Sequence, residues 1–110
     1  MNWNKINAIE DIEAIKTRSF EVPCLIFKHS TTCSISMIAK SRLEKDWDFT
    51  GEALEAYYLD LLMYRPISAY IADTFKVYHE SPQAIIVIDG EATFDTSHLD
   101  ISVSELHEVM

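Results

Sequence analysis

The run Cys24-Leu25-Ile26-Phe27-Lys28-His29-Ser30-Thr31-Thr32-Cys33-Ser34-Ile35-Ser36 decides how this chain is read. Its first four residues are continuously apolar and follow Pro23, the mark of a short strand covered on both faces. Ser30 to Ser34 are polar, and beyond them Ile35, Ile38, Ala39, Arg42 and Leu43 recur at helical spacing. Strand, loop and helix are thus joined with Cys33 at the helix start. There the macrodipole and the unpaired amides of the first turn favour negative charge, and cysteines so placed ionise more readily than free ones. Ser36 stands where a C-x-x-C redox motif has its second cysteine. The run therefore reads C-x-x-S, one nucleophilic sulfur without a local partner to resolve it.

Outward from this centre, Asn7 followed by Glu10 predicts a capping box, and Ile9, Ile12 and Ile15 carry a first helix through Arg18. The polar and aromatic segment from Glu44 to Gly51 ends the second helix. Ala56 to Leu62 reads as a second central strand, with a buried helix segment as the alternative that periodicity leaves open. Pro66 suits the first turn of a third helix on which Ile67, Tyr70, Ile71 and Thr74 share a face, ending near Phe75. Ala84 to Ile88, then Asp89-Gly90, then Ala92 to Phe94 predicts a hairpin, because Asp-Gly supplies the positive φ angles of a two-residue turn. Ser102 with Glu105 is a further capping box at the start of a C-terminal helix. With a short strand near Trp3, the order is β, α, β, α, β, α, β, β, α. A βαβ unit followed by a helix and a β-hairpin is the thioredoxin arrangement. The expected fold is α/β and three-layered, a mixed central sheet with helices on both faces, as one domain over residues 1–110. Pro82 supports it, standing where thioredoxin folds place a cis-proline facing the reactive sulfur.

Composition narrows the function. At 110 residues, 48% of them apolar, the chain can fill one core without disulfide or metal support. A net charge of −9 with only nine basic residues, scattered along the chain, argues against nucleic acid or anionic lipid as partner. No apolar stretch approaches the ~20 residues that span a bilayer, and Met1-Asn2-Trp3-Asn4-Lys5 lacks the layout of a secretory signal, so no membrane partner is expected. The expected compartment is the cytoplasm, where two cysteines are thiols more often than a staple.

Each candidate residue has a plainer reading beside the functional one. A free cysteine is often just a small hydrophobe. The polar neighbours Ser30, Thr31, Thr32, Ser34 and Ser36 instead place Cys33 on an exposed loop. Cys24 reads the other way, as an inert core residue, since the strand running on to Ser30 carries it ~20 Å off, far beyond disulfide reach. Lys28 and His29 offer local positive charge that would tune the thiolate; the plainer readings are a solvated lysine and a surface hydrogen bond. His79, shortly before Pro82, is a weaker candidate for the same rim. A metal site from Cys24, Cys33, His29 and His79 fails on spacing, having no C-x-x-C or H-x-x-x-H pair. On the thioredoxin arrangement a substrate is expected against Thr32, Ser34 and Ser36 on one side and Ser81, Pro82 and Gln83 on the other. Ser36 would donate to the sulfur, and the backbone before the proline would offer a free strand edge to a cysteinyl substrate.

Ile26 to Ser36, together with His79-Glu80-Ser81-Pro82-Gln83 and Thr96-Ser97-His98, resembles the YtxJ family, the monothiol bacilliredoxins of bacteria that use bacillithiol. The similarity runs from the first helix to the C-terminal helix. The resemblance implies a thiol–disulfide oxidoreductase with Cys33 as nucleophile, reducing protein–bacillithiol mixed disulfides. It implies S-thiolated proteins as substrates, bacillithiol as co-substrate, no bound cofactor, and a separate flavin-dependent reductase that recycles the small-thiol disulfide. Many members carry proline directly after the nucleophile, where this chain has Ser34. The C-G-F-S motif of cluster-carrying monothiol glutaredoxins is absent. The rival reading is a thioredoxin-fold module whose cysteine senses or stores an adduct without turnover.

Overall fold

A computed structural model describes residues 1–110. The elements are β1 (Trp3–Lys5), α1 (Ile9–Arg18), β2 (Cys24–His29), α2 (Ser34–Asp46), β3 (Glu55–Asp60), α3 (Arg65–Phe75), β4 (Gln83–Ile88), β5 (Glu91–Ser97), a 3-10 turn (His98–Asp100) and α4 (Val103–Val109). They form one five-stranded sheet in the order β1-β3-β2-β4-β5. β3 runs parallel to both β1 and β2, whereas β4 is antiparallel to β2 and to β5.

β2 lies at the centre, and all six of its residues are buried. Because successive side chains leave a strand on opposite faces, its apolar run feeds two cores at once. Cys24 and Ile26 join Ile12 and Ile15 of α1 and Ile67, Ile71 and Phe75 of α3. Leu25 and Phe27 join Ala39 and Leu43 of α2 and Leu106 of α4. The result is the three-layer α/β architecture that the element order predicts.

Boundaries differ where side chains override pattern. The cap of α1 sits one residue later than the Asn7–Glu10 pair predicts. Ala8 is the N-cap, and the Asp11 carboxylate accepts from the amides of Asn7 at 2.9 Å and Ala8 at 3.1 Å. β3 is a strand, paired on both edges, but it stops at Asp60 and not at Leu62. Asp60 Oδ1 accepts from the amides of Leu62 (3.1 Å) and Met63 (3.3 Å), turning the chain out of the sheet. On α3 the buried stripe is Ile67, Ser68, Ile71 and Phe75, with Tyr70 and Thr74 only half-buried. The hairpin turn is as read, with Asp89 at φ 52° and Gly90 at φ 81°. Ser102 caps α4 by accepting from the Glu105 amide at 3.1 Å. No helix is long and apolar enough to cross a membrane.

Candidate active site

Cys33 is the N-cap of α2, with extended backbone (φ −102°, ψ 121°). Its amide donates to Ser30 O at 3.2 Å and its carbonyl accepts from Met37 at 3.0 Å, which ties the loop from β2 to the first turn. No side chain caps this helix start, so its first amides stay open towards the cysteine. Cys33 is half-buried between exposed Thr32 and Ser34 and is a free thiol. Cys24 is free as well, but it is fully buried and its Sγ lies 3.4 Å from Val22 O. Burial pushes its thiol up to about 12.

The second wall follows from strand register. β4 runs antiparallel to β2 with Gln83 opposite Lys28, so Pro82 falls abreast of His29, at the sheet end from which the chain leads to Cys33. The Ser81–Pro82 peptide is cis. Pro82 is buried and its carbonyl accepts from His98 N at 3.0 Å. Ser81 is half-buried, and neither its amide nor its carbonyl enters a backbone hydrogen bond. That leaves a short stretch of unpaired edge beside the thiol loop, able to pair with an extended peptide.

Three candidate residues sit otherwise than the sequence suggests. Ser36 is fully buried, and its Oγ lies 2.6 Å from His29 Nδ1 and accepts from the Ser30 amide at 3.0 Å. Its hydrogen bonds thus run to the end of β2 and not to the sulfur. His29 is no surface group either. Its ring stacks on Phe27 and leans on Tyr58, and burial, aided by Lys40, holds its pKa below the usual 6.5. That shift favours the neutral ring, and its hydrogen bond runs to Ser36 and not to the sulfur. Lys28, on the opposite face, is fully buried, and burial pushes its pKa down to about 8. Its Nζ reaches Ser68 O at 3.4 Å and His79 Nδ1 at 3.3 Å, so its contacts serve the loop before Pro82 and not Cys33.

Gln83 is likewise fully buried, which keeps its side chain from any substrate. Its Nε2 donates to Tyr78 O at 2.9 Å and Asp95 Oδ2 at 3.3 Å, and its Oε1 accepts from Glu80 N at 3.4 Å. Of the expected contact residues, Thr32 and Ser34 are exposed and Ser81 is half-buried, while Pro82, Ser36 and Gln83 are buried. Ser68, an α3 residue that helical periodicity gives no reason to single out, is buried as well: its Oγ lies 3.3 Å from His79 Nδ1. No group of three or more His, Cys, Asp or Glu is arranged to hold a metal ion. What the site can do chemically is thiol–disulfide exchange through one sulfur.

Comparison with known proteins agrees with this geometry. A solved structure described as "A putative oxidoreductase with a thioredoxin fold" superimposes with a TM-score of 0.81 at 32% identity, covering 97% of this chain and 92% of that one. Thioredoxin from Trypanosoma brucei brucei (TM-score 0.73, 13% identity, 98% and 87% covered) and mitochondrial thioredoxin 3 from Saccharomyces cerevisiae (0.69, 14%, 96% and 90%) share the fold. The family model for "Monothiol bacilliredoxin BrxC" matches residues 4–106. With that match over nearly its whole length, the chain belongs to the monothiol bacilliredoxin BrxC family of thiol–disulfide oxidoreductases.

Proposed function

We propose that the protein removes bacillithiol from S-thiolated proteins in the cytoplasm, with Cys33 as the only working sulfur. The observation that carries the single-sulfur mechanism is the pairing of a half-exposed thiol at a helix start with a second cysteine buried in the central strand, and the family match supports bacillithiol as the small thiol. The Cys33 thiolate attacks the bacillithiol sulfur of the mixed disulfide. That S–S bond breaks, the protein cysteine leaves as thiolate, and Cys33 carries the bacillithiol adduct. A second bacillithiol attacks the adduct, freeing Cys33 and forming the small-thiol disulfide, which a separate flavin-dependent reductase returns to thiol. Thr32 and Ser34 flank the entering disulfide, and the unpaired Ser81 backbone holds the extended peptide that bears it.

The test is release of bacillithiol from a defined protein mixed disulfide over many turnovers, with glutathione and coenzyme A adducts alongside. Cys24→Ser should cycle like the parent, and Cys33→Ser should lose turnover completely. Loss of cycling in a folded Cys24→Ser protein would overturn the one-sulfur mechanism. A single adduct formed on Cys33 without further turnover would point to the sensing module instead.

A further inference from the structure

Lys28 presents an anomaly. An ammonium buried without a carboxylate partner is destabilising relative to an apolar side chain of the same length, yet Lys28 stands at the centre of the sheet in no ion pair. Its neighbours in register are Leu59 of β3 and Gln83 of β4, on the face covered by α3. What it touches is informative: Ser68 O on α3, and Nδ1 of His79 in the loop that ends at Ser81. An ammonium donates only, so Nδ1 must accept and the neutral ring carries its proton on Nε2. Burial and Lys28 both hold His79 below its usual pKa, in keeping with a neutral ring. Gln83 grips the same loop at Tyr78 O and Glu80 N. Three consecutive loop residues are therefore fastened from beneath by two buried side chains on adjacent strands, while Tyr78 and His79 themselves lie exposed.

We propose that Lys28 is a positioning residue for substrate: through His79 it holds the loop 77–81, and with it the unpaired Ser81 edge, in register with Cys33. This rests on the thiol-exchange reading above, since the held edge is the one proposed to receive the peptide. Lys28 touches no reacting atom. Its loss should loosen the grip on a protein substrate without altering the sulfur chemistry.

The experiment compares the parent with Lys28→Met, His79→Ala and the double variant. Three quantities are measured: amide hydrogen exchange over residues 77–81, the His79 tautomer by ring nitrogen chemical shift, and steady-state turnover on a protein-borne mixed disulfide. Each single variant is expected to speed exchange in the loop and raise KM about five- to tenfold, with kcat nearly unchanged, as for loss of one charge-assisted hydrogen bond. The double variant should lose less than the two singles combined, because both remove the Lys28–His79 contact, although Lys28→Met also frees Ser68 O and His79→Ala also frees the Ser68 hydroxyl. The parent His79 should be the Nε2–H tautomer, and Lys28→Met should populate both once Ser68→Ala also removes the hydroxyl 3.3 Å from Nδ1. Unchanged loop exchange in Lys28→Met would overturn the proposal, as would an unchanged tautomer in Lys28→Met combined with Ser68→Ala, or KM effects that multiply in the double variant. His79→Ala leaves the core intact and serves the same test if Lys28→Met does not fold. Absence of turnover in the parent would strike at the proposed function alone, since exchange and tautomer report on the clamp without it.

Discussion

At the scale of single residues, the two cysteines differ in position. Cys33 is half-exposed at a helix start, whereas Cys24 is fully buried and pushed up to about 12. At pH 7 a group titrating there is ionised in only about one molecule in 10⁵, and the thiolate is the form that reacts. Brief treatment of the native protein with iodoacetamide should therefore label Cys33 alone, as read by peptide mass spectrometry, with Cys24 labelled only after denaturation. Labelling of Cys24 in the folded protein would contradict its placement. His29 and Lys28 make the complementary point. Adjacent in sequence, they point to opposite faces and serve different walls, His29 bonding Ser36 under α2 and Lys28 bonding His79 beside α3.

At the scale of elements, the start of α2 is held by Ser36, whose oxygen joins the Ser30 amide and His29 Nδ1 across the loop that carries Cys33. This hydroxyl ties the first turn of α2 to the end of β2 and leaves the Cys33 thiol free. Ser36→Ala strands a buried amide and a buried ring nitrogen, and should cost about 1–3 kcal/mol. A lower urea midpoint with unchanged slope measures it. Ser34→Ala, two residues away but exposed, should stay within ~0.5 kcal/mol of the parent and serves as its control.

At the scale of the whole molecule, Lys28 links folding to pH. Its pKa falls from an ordinary 10.5 to about 8 on burial. Keeping it charged thus costs the folded chain about 3 kcal/mol relative to the unfolded one. Below pH 8 both states hold the proton and the full cost is present. Between about pH 8 and 10.5 the unfolded chain keeps a proton that the folded chain has released, so this contribution makes stability rise with pH. Cys24 and the raised tyrosines Tyr57, Tyr58 and Tyr70 titrate in the opposite sense. The difference between parent and Lys28→Met isolates Lys28: Lys28→Met should be the more stable at pH 7, and the gap should narrow towards pH 10. A gap that does not change with pH would show that the ammonium is not the source. From the sequence alone came the element order, the hairpin, the sheet-centre strand and the place of Cys33 at a helix start, because apolar periodicity, Pro and Asp-Gly act over a few neighbouring residues. The turn at Asp60, the shifted cap at Asp11 and the burial of Ser68 were not legible, since each depends on which side chain first reaches a free amide or which helix face meets the sheet. The roles of Lys28, His29, Ser36 and Gln83 lay further out of reach. Read along the chain, Lys28 and His29 suggest charge beside the sulfur, Ser36 a donor to it and Gln83 a substrate contact. Only tertiary packing buries them, Lys28 and His29 in β2 between β3 and β4, Gln83 in β4 between β2 and β5, and Ser36 on the buried side of α2, and a buried polar atom must take its partner from whatever the fold brings alongside.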